Sequence, residues 1–73
     1  MRLNQLEYFI KVVECGSITK AAQVLYLSQP SLTKAISSLE AEYDLKLFDR
    51  TAKGLSLTPK GRDFLEYAKG VME

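Results

Sequence analysis

From Ser17 to Leu39 the chain holds two apolar stripes of helical spacing, separated only by a tight turn, and not one acidic residue. Ile18, Ala21, Ala22 and Leu25 make the first stripe. Leu32, Ala35, Ile36 and Leu39 make the second and run on to Tyr43, each set converging on one side of a helix. The adjacent Ala21 and Ala22 carry so little side-chain bulk that a following helix crosses at close range. A helix-turn-helix is the arrangement these constraints allow. The whole chain has nine Asp and Glu, so their absence from this stretch points to a phosphate-bearing partner.

Local signals set the other elements. Asn4 is expected to cap a first helix over about residues 5–15, in a capping box with Glu7 and with Leu3 and Tyr8 as a hydrophobic staple. Leu6, Phe9, Ile10 and Val13 are its apolar positions, and Gly16 is its left-handed stop. Ser17 caps the second helix and Tyr26-Leu27 form the turn. Ser28 caps a third helix from about Gln29 to Tyr43, whose first turn tolerates Pro30 because the amides there lack intrahelical acceptors. Leu45, Leu47 and Phe48, then Leu55 and Leu57, alternate around Thr51-Ala52-Lys53-Gly54 as a two-stranded wing with a basic tip, residues 48–58. Thr58-Pro59 opens a fourth helix with Phe64, Leu65, Ala68, Val71 and Met72 as apolar positions. The fold class is therefore mainly α: a winged helix-turn-helix with a three-helix core, a two-stranded β wing and a C-terminal helix.

Composition removes most other possibilities. Seventy-three residues make one domain with one core, and 47% hydrophobic against 26% charged residues is ordinary for a folded chain. No run approaches the ~18 apolar residues of a membrane span, and the N-terminus lacks a signal-peptide layout, so a cytoplasmic location is expected. Cys15 is the only cysteine and there is no histidine, which excludes an internal disulfide and a zinc set; Cys15 reads as a small core residue. No nucleophile has an adjacent base and no glycine-rich phosphate loop occurs, so an enzyme is not expected. The net charge of +1 hides an uneven distribution: +2 over residues 16–39, +4 over 46–62 and −5 over the remainder.

On the third helix, the side opposite its apolar face presents Pro30, Thr33, Lys34, Ser37 and Ser38. This surface is short, polar and hydroxyl-rich until Glu40 begins an acidic end. Residues at the start of such a helix reach base edges in the major groove of DNA. Gln29 suits adenine, Thr33 a thymine methyl group and Lys34 guanine, while Ser28 and Ser31 at the helix start suit a phosphate oxygen. Ser17, Ser37 and Ser38 join the phosphate contacts. In the wing, Arg50 and Lys53 suit the DNA backbone or minor groove, with Arg50 also a candidate for a structural ion pair.

These residues resemble a known family. The run Ala21-Ala22 to Leu25, then Ser28-Gln29-Pro30-Ser31-Leu32, Ile36, Leu39-Glu40, Leu45, Leu47-Phe48, Arg50, Leu57-Thr58 and Gly61 is similar to the N-terminal winged helix-turn-helix of LysR-type transcriptional regulators. The resemblance implies that Gln29, Pro30, Ser31, Thr33 and Lys34 enter the major groove and that Lys53 at the wing tip meets the minor groove. It implies a winged domain over residues 1–58 and, from 59 to 73, the start of a linker helix that dimerises. Phe64, Leu65, Ala68, Val71 and Met72 are then the dimerisation candidates, though some must also pack on the first helix. A homodimer on a DNA operator with dyad symmetry is expected. So is a further C-terminal domain, absent from this chain, that senses a small-molecule co-inducer; this fragment itself needs no cofactor or metal. Tyr43-Asp44 departs from the family's usual Leu-Gly, Lys34 stands where Arg is common, and Lys60 replaces a small residue. The competing expectation is a winged-helix module that binds protein, in which case the hydroxyl-rich face is a contact surface for a polypeptide.

Overall fold

The computed structural model describes residues 3–51 and 54–72. Helices α1 (Leu3–Cys15), α2 (Ile18–Leu25) and α3 (Gln29–Tyr43) are followed by strands β1 (Phe48–Thr51) and β2 (Gly54–Leu57) and by helix α4 (Pro59–Met72). The strands pair antiparallel with Phe48 opposite Leu57 and Thr51 opposite Gly54. Gly54 has φ +120°, a conformation essentially confined to glycine.

Helix α1 lies at the centre, against α2, α3 and α4. Leu6, Phe9 and Val12 are fully buried, and Tyr8, Ile10, Val13 and Cys15 pack around them as half-buried flanks. The expected start of this helix is corrected. Helical backbone already includes Leu3, which places Asn4 in the first turn, without the extended geometry a capping side chain needs. Leu3 is 64% exposed and Tyr8 is half-buried. At the other end Gly16 takes φ +66° and its amide donates to the Val12 carbonyl at 2.9 Å, as a left-handed stop requires.

The core is joined by rings. Phe9 meets Phe48 of the wing at 5.4 Å and Phe64 of α4 at 5.3 Å between centroids, and Phe64 meets Tyr43 of α3 at 5.2 Å and Tyr67 at 5.7 Å. These separations lie within the range for favourable aromatic pairs. Of the dimerisation candidates, Phe64 and Ala68 are packed inside this domain, at 7% and 0% exposure. Leu65 is half-buried against the core, leaving Val71 and Met72 of that set exposed, with Tyr67 beside them. Helical periodicity marks an apolar face but does not say which partner covers it.

The join between α3, the wing and α4 is tight. Thr58 caps α4, its Oγ1 accepting from the Gly61 amide at 2.9 Å and donating to the Lys46 carbonyl. Its own amide donates to the Leu47 carbonyl at 3.0 Å. A Cβ on Gly61 would stand 2.2 Å from that carbonyl oxygen, so the glycine is required by contact, not by φ. Gly61→Ala is expected to lower the unfolding free energy by about 1–3 kcal/mol despite the better helix propensity of alanine. Gly70→Ala, in the same helix with open space around it, is expected to raise stability by up to about 1 kcal/mol. Urea denaturation of both variants checks the opposite signs.

Candidate nucleic-acid interface

The turn between α2 and α3 is built from backbone bonds and one unusual residue. Tyr26 ends α2 with φ 59° and ψ 39°, a left-handed conformation that a bulky residue adopts only under constraint. The Leu27 amide reaches back to the Ala22 carbonyl at 2.9 Å, so the turn closes as a helix C-cap, while the Tyr26 side chain is 95% exposed. Ala21 and Ala22 are buried beneath the crossing, as their small size predicts. Asp44 ends α3 in the same left-handed manner at φ 50°, doing what the sequence demands in the absence of glycine.

Serines organise the starts of both helices. Ser17 Oγ accepts from the Lys20 amide at 3.2 Å, and Ser28 Oγ accepts from the Ser31 amide at 3.2 Å. Ser28 also donates to Ser31 Oγ at 2.8 Å, which leaves the Ser31 hydroxyl hydrogen to donate outward. Ser28 thus works first as a cap.

Two shallow grooves define the face. One of about 310 Å³ is lined by Gly16, Ser17, Ile18, Thr19, Gln29, Gly54 and Leu55. The other, of about 350 Å³, includes Thr33, Ser37, Glu40, Lys46 and Asp49. They share Ile18 and Leu55, so the start of α2, three turns of α3 and the wing border one continuous surface. Gln29, Pro30, Ser31, Lys34, Ser37 and Ser38 are exposed and Thr33 is half-buried. Arg50 lies on β1 opposite Leu55. Lys53 lies outside the described residues.

Both acidic residues of this surface are engaged. Glu40 Oε2 accepts from the Leu47 amide at 2.7 Å in a part-buried bond, and Asp49 Oδ1 lies 3.5 Å from Lys46 Nζ. The second pair is exposed on both sides and contributes little to stability. In the sequence Glu40 stands at an acidic helix end and within the run that carries the family resemblance, with no structural role assigned to it. Nothing in spacing or charge announces that it holds an amide seven residues on. At the far end of α3, desolvation and then the neighbouring Tyr67 and Glu42 raise the Tyr43 phenol above its ordinary value, where its ring meets Phe64 of α4.

A model of bacterial regulatory helix-turn-helix proteins of the lysR family matches residues 3–62. The chain belongs to the lysR family. Among curated LysR-family relatives, the transcriptional regulator TfdT of Cupriavidus pinatubonensis is 44% identical over 99% of this chain and 32% of its own length. The nitrogen assimilation regulatory protein nac of Klebsiella aerogenes is 39% identical over 99% of this chain and 24% of its own. This chain therefore spans a third or less of those regulators. Among solved structures, the BenM DNA-binding domain in complex with catB site 1 DNA superposes with a TM-score of 0.93 at 40% identity, covering 99% of this chain and 81% of that one. The CbnR DNA-binding domain in complex with DNA gives 0.92 at 40%, covering 99% and 83%. Among the described residues no helix is long and apolar enough to cross a membrane.

Because Ser28 is a cap, Ser28→Ala is expected to lower the unfolding free energy by about 1 kcal/mol, whereas Ser28→Asp, whose carboxylate caps as well, stays near the parent. Parallel urea titrations distinguish the two.

Proposed function

We propose that this LysR-family domain binds double-stranded DNA sequence-specifically, as the reading head of a transcriptional regulator. The observation that carries the reading is the continuous surface formed by the polar first turns of α3, the start of α2 and the wing, on which both acidic side chains are already engaged. A convex helix flanked by a hairpin matches the groove and backbone of B-DNA. Complexes of the BenM and CbnR DNA-binding domains with DNA, at 40% identity, support it.

In this reading the start of α3 enters the major groove, with Gln29, Pro30, Thr33 and Lys34 at base edges. Ser17, Ser28, Ser31, Ser37 and Ser38 face phosphates, and Arg50 and Lys53 bring the wing to the backbone or minor groove. Lys34 is a point charge without the planar fork of arginine, so it tolerates more than one base. Two copies occupy a dyad-related operator with half-sites about one helical turn apart, or a multiple of it. Exposed Val71, Met72 and Tyr67 on α4 supply apolar surface for pairing. The greater length of the relatives supports a further domain that answers a small-molecule co-inducer, in a regulator working in the bacterial cytoplasm without enzymatic activity of its own.

Selection of bound sequences from a random duplex pool, followed by affinity at several salt concentrations, tests the reading. The expected result is an enriched dyad motif with steep salt dependence. No enrichment with weak, salt-insensitive binding would overturn it in favour of a protein-binding module. Gln29→Ala is expected to cost about 1–3 kcal/mol at one base pair while leaving random-sequence binding nearly unchanged. Ser28→Asp, with its cap intact, is expected to weaken binding to every duplex by adding a charge opposite the phosphates.

A further inference from the structure

We infer that Glu40 is a positioning residue that sets the wing against the recognition helix, and that the domain tolerates a carboxylate on its DNA-facing side for this purpose. The inference rests on the DNA-binding reading above. Glu40 projects from the start of the fourth turn of α3, two turns beyond Thr33, and its Oε2 accepts the Leu47 amide at 2.7 Å. Leu47 is fully buried and directly precedes β1. The carbonyl of the same residue receives the Thr58 amide at 3.0 Å, and Gly61 lies too close to it for any side chain. One peptide segment at the root of the wing is therefore gripped from α3 on one side and from the cap of α4 on the other. Backbone bonds within the hairpin fix its shape, but the bond to Glu40 ties its root to the helix that reads bases.

The placement has an electrostatic cost that makes the inference testable by sign. Glu40 lines the groove between α3 and the wing, together with Thr33 and Ser37, where a negative charge opposes a polyanion. By charge alone, any neutral replacement would bind DNA more tightly. If Glu40 instead holds the wing, removing its acceptor releases the wing contacts and weakens binding in spite of the lost charge.

Three substitutions separate these effects. Glu40→Gln keeps an acceptor at the same reach and loses the charge, Glu40→Asp keeps the charge and loses one methylene of reach, and Glu40→Ala loses both. Affinities for the selected operator and for random duplex are measured across salt, well below each variant's melting temperature, with hydroxyl-radical footprints of the minor groove. The expected order of affinity has Gln equal to or tighter than the parent, and Asp and Ala weaker. For the weaker two, the salt slope falls by about 1 or more, wing-side protection is lost, and discrimination at the base pair read by Gln29 is retained. Should Glu40→Ala fail to fold, the contrast between Gln and Asp decides alone. Gln and Ala both tighter than the parent, or all three variants equal to it with an unchanged footprint, would overturn the inference while leaving DNA binding intact. A parent domain with no salt-dependent, selective binding would overturn both readings.

Discussion

Phe9 is the side chain that ties the wing and the fourth helix to the centre of the domain. It is fully buried on the central helix, with the ring of Phe48 from the wing on one side and that of Phe64 from α4 on the other. Through Phe64 the contact extends to Tyr43 at the end of α3. A domain of this size buries only about 60% of its unfolded surface, so few large side chains carry its stability. Concentrating them in one ring cluster holds the wing and the fourth helix to the core. Truncating such a ring removes contacts with the wing and α4 at once, which places Phe9 among the costliest core positions.

The polar surface obeys a different constraint. The acid-free stretch ends at Glu40, the first carboxylate after Glu14, and that carboxylate is committed to a backbone amide. Asp49 lies beside Lys46. Negative charge is thus present on the face but already directed inward or compensated. The serines show similar economy: Ser28 closes the start of α3 while its hydrogen bond to Ser31 leaves that hydroxyl a donor for an outside acceptor.

What could be read from the chain divides by range of interaction. The bounds of α3 follow from Ser28, Pro30 and Asp44, each acting within a turn of the helix end. The wing follows from alternation and from the special conformation of Gly54. The start of α1 was misplaced because a capping pattern at Asn4 describes a possibility, while packing of Leu6, Phe9 and Val12 decides how much of the segment becomes helix. That some apolar residues of α4 pack on α1 was legible, but not that Phe64 and Ala68 are the ones, since periodicity gives a face without its neighbour. The grip on Lys46 and Leu47 was beyond sequence reading altogether, because the Glu40 carboxylate on the Leu47 amide and the Thr58 hydroxyl on the Lys46 carbonyl act across gaps of seven and twelve residues through loop geometry. Among the proposed contacts, Gln29, Thr33 and Ser37 do share the surface beside the wing, a consequence of their four-residue spacing on one helix.

The packing of Phe64 and Ala68 has a mechanical consequence. A helix clamped by two inward side chains a single turn apart cannot roll about its own axis, because a turn of one residue carries Phe64 off Phe9. Fourteen residues give α4 a length of about 21 Å. Anything that pulls or twists its far end therefore acts on a lever rigidly fixed to the body, and the motion arrives as a tilt of the whole domain, the recognition helix included.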